Sequence, residues 1–189
     1  PMTDLEFYKH ISVLSSTIKD GHTNFLPGKE TMSYHDSFSK FLPYKLIISE
    51  NKLLVDRVLT YENSIIRGSE IISINNISSK EIIEELKKRM VRDGNNQTYP
   101  YWILSKYFRN YFSFSYGHPT DFKIEYLQRD VTGTVVIKAL SKDSISYYNI
   151  RNYPVIENSL QTEKGINLQI ASDSIYAILK IRDFHRNVL

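Results

Sequence analysis

The sequence predicts an α+β protein in which helices and antiparallel hairpins occupy separate stretches of chain. Three observations carry that expectation: two capping boxes that open helices, pairs of short apolar runs on either side of tight polar turns, and an aromatic-rich helical segment set between the hairpins. With 189 residues and 41% hydrophobic content the chain can bury a core, as one ordinary domain or two small ones.

The first helix starts near Thr3, where Thr3 and Glu6 make a capping box and Met2 and Phe7 hold the flanking positions of a hydrophobic staple. Phe7, Ile11, Leu14 and Ile18 recur at helical spacing as one apolar stripe, and Gly21 stands where a left-handed residue would end the helix. From Asn24 to Phe41 the pattern breaks at Pro27 and Gly28, which reads as a loop or a short helix crossing toward a next domain. Tyr44 to Ile48 and Leu53 to Val58 flank Glu50 and Asn51 as a hairpin, and Glu70 to Ile74 is a third strand. Ser78 with Glu81 opens a second helix whose inner face is Ile82, Leu86 and Met90, ending near Asp93 and Gly94. Tyr99 to Phe112 reads as a core helix in preference to a base- or sugar-stacking stripe, because no basic or hydrogen-bonding surround accompanies its rings. Phe122 to Tyr126 and Thr134 to Ile137 form a hairpin about Asp130 to Gly133. Ser141 to Lys164 reads as irregular, and Ile166 to Ile170 and Ile175 to Ile181 are strands about Ser172, Asp173 and Ser174.

Composition excludes several function classes. The net charge is +3, and 24 Lys and Arg are spread among 21 acids, so no footprint for nucleic acid is present. Lys87, Lys88, Arg89 and Arg92 fall late in a helix and read as a solvated face. With no cysteine there is no disulfide framework, thiol chemistry or thiolate metal site. No apolar run approaches a membrane span, and the stretch Pro1 to Asp4 has no signal-peptide character. His10 and His35 lack partners at ligand spacing, His118 precedes a proline and closes a loop, and His185 has no context. No metal or organic cofactor is expected. No Gly-x-Ser-x-Gly elbow occurs, and Ser15, Ser16 and Ser37 lack the glycine setting of a strained nucleophile.

A helix ending in Asp20-Gly21-His22-Thr23, a proline at Pro27, a hairpin, and then Arg67-Gly68-Ser69-Glu70-Ile71-Ile72-Ser73-Ile74-Asn75-Asn76-Ile77 follow one another. This order resembles the layout of the tail-specific, tricorn-core class of serine peptidases, an Asp-Gly-His-Thr turn followed by a PDZ-like domain. Ser69 and Glu70 stand at the family's Asp position, and Asn76 stands for its turn glycine, an exchange that left-handed Asn tolerates. The likeness continues through Gly117-His118-Pro119 and into Ser174 to Phe184, which is similar to the strand by which the family's catalytic domain begins.

The resemblance implies an N-terminal helical segment over 1–40, a PDZ-like domain over 41–142, and a linker with the first strands of an incomplete α/β catalytic domain over 143–189. It implies a serine peptidase whose nucleophile and oxyanion-hole glycines lie in a missing domain downstream of Phe184, so that this chain alone is expected to be inactive. His22 is the expected catalytic residue, the general base, although the family also has a Ser-Lys branch in which this histidine is not the base. Beside His22, Asp20 reads as an orienting group or a turn cap, and Thr23 as a turn hydroxyl. The expected partners are a polypeptide substrate, gated or bound by the PDZ-like segment near Gly68 and Ile71 to Ile74, and the downstream catalytic domain. Family habit places such proteins in the periplasm or at the cell surface. The alternative is a noncatalytic binding protein of the same architecture.

Overall fold

The computed structural model describes residues 1–154, 166–170 and 175–181. It is α+β, with the chain divided into two compact units, Pro1–Tyr153 and Pro154–Leu189.

In the first unit, helix α1 (Asp4–Ile18) begins at the capping box, with Glu6 N–H donating to Thr3 Oγ1 at 3.2 Å and Thr3 N–H to Glu6 Oε2 at 2.7 Å. Such a cap stabilises a helix end by about 1 kcal/mol. Its buried face overturns the expected stripe: Tyr8, Ser12, Ser15 and Ser16 point inward, whereas Phe7, Leu14 and Ile18 are exposed. Small serines satisfy their hydroxyls on carbonyls one turn back, Ser15 on Ser12 at 2.9 Å and Ser16 on Val13 at 2.8 Å, and so allow close helix packing. Tyr8 meets Phe114 edge-on at 5.5 Å.

The expected crossing segment contains α2 (Lys29–Phe38). Strands β2 (Tyr44–Ser49), β3 (Lys52–Val58), β4 (Glu70–Ile74), β6 (Asp121–Gln128) and β7 (Val131–Lys138) then form an antiparallel sheet in the order β2-β3-β4-β6-β7, with short β5 (Ile77–Ser78) paired to β4. Three two-residue turns, Glu50-Asn51, Asn75-Asn76 and Arg129-Asp130, hold both central residues at positive φ, the twist-matched hairpin geometry. The last of these begins β7 at Val131, three residues before the expected strand. Gly133 therefore lies inside β7, where a Cβ would fall 2.5 Å from the Tyr126 ring paired opposite it.

Helices α3 (Ser79–Lys87) and α4 (Thr98–Tyr116) bury Ile82, Ile83, Leu86, Leu104, Phe108 and Phe112 against the sheet's Leu46, Leu53, Ile71 and Phe122. Each of these side chains gains on the order of 1.5–3 kcal/mol by burial. The α3 helix ends at Lys87, before the expected Asp93-Gly94, yet Met90 remains in the core. Beyond the sheet, β1 (Lys40–Phe41) pairs with β8 (Leu140–Ser141), and α5 (Lys142–Asn152) replaces the start of the stretch read as irregular. Only Ile145 of α5 is buried, so its sequence carries almost no helical period; Ser141 caps it through Ser144 N–H at 3.2 Å.

In the second unit, β9 (Ile166–Ile170) and β10 (Ala177–Ile181) pair antiparallel, Ala177 opposite Ile170. The expected turn residues Ser172, Asp173 and Ser174, and the stretch Arg182 to His185, lie outside the described residues. Among the described residues no helix is long and apolar enough to cross a membrane.

Candidate functional site

The residue that ends α1 is Lys19, left-handed at φ 57°, and not Gly21 as its glycine identity suggests. Gly21 serves a close approach instead. Its N–H donates to Asp93 Oδ1 at 2.8 Å, and a Cβ on it would lie 3.0 Å from that oxygen. The same loop clamps Lys19 twice, with Gly94 N–H on the Lys19 carbonyl at 3.0 Å and Lys19 Nζ on Asn95 Oδ1 at 3.0 Å. The Asp-Gly-His-Thr turn is thereby fixed by a segment more than seventy residues away in sequence.

Asp20 caps the turn. Its Oδ2 accepts the Thr23 hydroxyl at 2.5 Å and its Oδ1 the His22 N–H at 3.2 Å, which closes the turn. Its Oδ1 also stands 3.5 Å from His22 Nδ1. The Thr23 hydroxyl first, and the His22 N–H next, hold the Asp20 carboxyl below the ordinary carboxylate range. His22 itself projects outward with its side chain 93% exposed, one ring nitrogen toward a carboxylate and the other clear of any described partner. Asp20, His22 and Asp93 offer ligand atoms within 4.8 Å of one another, a spacing that could take a metal ion, but Gly21, His22 and Thr23 already use the carboxylates as a turn lock. Ser15 and Ser16 are buried, with hydroxyls bound to carbonyls, and cannot act as nucleophiles.

A second histidine cluster has no counterpart in the sequence reading. His35 of α2 is 5% exposed, with Nδ1 3.4 Å from Ser39 Oγ and Nε2 3.2 Å from Ser113 Oγ. Ser39 Oγ lies 3.2 Å from His118 Nε2, and His118 Nδ1 lies 3.2 Å from the Lys40 carbonyl. The rings of His35 and His118 meet edge-on at 4.1 Å. Because the chain runs from the Lys40 carbonyl to the Asn110 carbonyl that Ser113 binds, its five links share four protons while both rings are neutral. One added proton would complete it. Burial opposes that proton, pulling both rings below the ordinary histidine value, His35 further through the neighbouring His118. Sequence spacing gives no signal for this cluster, since Ser39 and His118 meet across 79 positions.

The stretch expected to meet a peptide, Gly68 and Ile71 to Ile74, presents no free strand edge among the described residues. β4 is an interior strand, paired with β3 and β6, with Ile71 and Ile74 buried, and it offers no edge for an added strand. The sheet's edges are β7 and β2. The β2 edge is partly capped by α4, where Ile48 N–H donates to Ser105 Oγ at 2.9 Å. His10 is exposed on α1 with no metal-ligating partner among the described residues.

No protein-family model matches the chain, and no curated protein matches it. Among solved structures it is similar to mature CPAF, at 12% identity and a TM-score of 0.47 over 72% of this chain and 25% of that one. A serine-to-alanine mutant of CPAF gives 14% identity and a TM-score of 0.49 over 73% and 25%. Mature CPAF complexed with lactacystin gives 11% and 0.46 over 73% and 25%. The chain thus spans about a quarter of the length of the structures it matches.

Proposed function

We propose that this chain supplies the general base of a serine-type peptidase, His22, to a serine contributed from outside the described residues. The observation that carries the reading is the Asp20-His22 arrangement: an exposed imidazole on a locked turn, with a carboxylate oxygen 3.5 Å behind Nδ1. In that arrangement the Nδ1 proton faces Asp20 and Nε2 is left to take the proton of a serine hydroxyl as its oxygen attacks a peptide carbonyl. The proton then passes to the leaving amine, and water releases the acyl group by the same exchange. Asp20 acts as a positioning residue, holding the ring and favouring the imidazolium that forms. The antiparallel sheet gates or presents the polypeptide substrate, as a PDZ-like domain does, and among the described residues its edges for an added peptide strand are β2 and β7.

The test is peptide hydrolysis by the full-length gene product. His22→Ala is expected to lower kcat/KM by roughly a thousandfold or more. Asp20→Asn should lose less and shift the pH profile of kcat/KM, a change that a merely structural cap would not produce. Activity of His22→Ala within a few-fold of the parent removes His22 from the mechanism. A parent that hydrolyses no peptide replaces the peptidase reading with that of a binding protein.

A further inference from the structure

Between α4, α5 and the β2 edge lies a cavity of about 390 Å³, within the range of small-ligand sites. Five cationic side chains line it, Lys45, Arg57, Lys106, Arg109 and Lys142, and no aspartate or glutamate does. Their counter-charges are few and lie outside it. Asp56 serves Lys45 at 2.9 Å and Arg57 at 3.9 Å, and is shared further with Arg67 at 3.6 Å. Asp36 serves Lys142 at 2.8 Å. Lys106 lies over the Trp102 and Tyr107 rings, 5.1 Å from each centroid.

Arg109 stands apart from the other four. It is half-buried on α4, lines both this cavity and the smaller one beside Asp36 and Phe41, and has no hydrogen-bond or ion-pair partner among the described residues. Burial lowers its pKa with no compensating charge, yet a guanidinium remains protonated at any physiological pH. A desolvated cation without a counter-ion is costly unless something supplies one. The planar fork of Arg109 suits two oxygens of one oxyanion, and Ser146 of α5 adds a hydroxyl to the lining.

We propose that this cavity is an oxyanion-binding site, taking the phosphate or carboxylate groups of a small, multiply charged ligand, with Arg109 as its central contact. The site stands independently of the peptidase reading, because it uses neither His22 nor Asp20. Lys106 and Lys142 raise the local anion concentration, and Arg109 fixes orientation.

The experiment is calorimetric titration of the 189-residue chain with inorganic pyrophosphate and, separately, with citrate at low ionic strength. One saturable site is expected for at least one ion, and the tighter of the two identifies phosphate or carboxylate as the group recognised. Arg109→Gln should weaken binding by about tenfold or more, whereas Arg129→Gln, on the turn between β6 and β7, should leave it unchanged. If Arg109→Gln does not fold by circular dichroism, Lys142→Gln carries the test through its exposed ammonium, with at least about a threefold loss expected. Absence of saturable binding by both ions overturns the proposal. So does equal weakening by Arg109→Gln and Arg129→Gln, which would mark a diffuse field and no site.

Discussion

His22 and His35 occupy opposite physical regimes within one unit of the molecule. His22 sits in water on a turn whose backbone is held by polar contacts from Asp20, Asp93 and Gly94; His35 sits in a packed cluster with Phe41, Phe114 and His118 around its ring. The first leaves one ring nitrogen open to solvent, and its support comes from the turn beneath it. The second is tied at both nitrogens, so its contribution is to the integrity of the fold. A histidine's chemistry therefore follows from which of its nitrogens the fold leaves unspent.

Breaking the buried side of this contrast should cost most. His35→Ala removes two hydrogen-bonded contacts and opens a void, an expected loss of about 2–4 kcal/mol in urea denaturation, whereas His22→Ala should leave the denaturation midpoint unchanged. Acidification gives a smaller effect of known sign. Both His35 and His118 have folded-state values below those of the unfolded chain, so the unfolded chain binds more protons, and stability present above about pH 6.5 declines as pH falls toward the folded values. Urea midpoints between pH 8 and pH 5 check this, and His35→Ala should flatten the profile. The smallest effect concerns the turn: Asp93→Ala frees the Gly21 N–H and should cost about 1 kcal/mol of stability. Under the proposed peptidase reading, the same change should also lower peptide hydrolysis, because it loosens the mount of His22 without touching the ring.

Much of the fold was legible because local rules dominated there. The capping boxes at Thr3 and Ser78, the hairpin turn at Glu50-Asn51 and the strand Glu70–Ile74 each follow from a few neighbouring residues, and all stand where the sequence places them. Helix α5 was missed because Ile145 is its only buried residue, leaving no periodicity to find. The face of α1 was misread because period alone cannot tell a buried serine seam from the apolar stripe beside it. For the site, Asp-Gly-His-Thr named the residues of the turn, but the clamp by Asp93, the network joining His35 to His118 and the cation-lined cavity of Arg109 arise from tertiary contacts that no local spacing encodes.

The serine seam of α1 leaves Phe7, Leu14 and Ile18 as an oily ridge facing the solvent of the described unit. A molecule that wears such a ridge behaves as a mild detergent target: it should be retained on a phenyl matrix at moderate ammonium sulfate and brighten a naphthalene-sulfonate dye while fully native. Replacing Leu14 by Lys should weaken both behaviours and leave the helix in place, since its grip on the core is made by Tyr8 and the serine side.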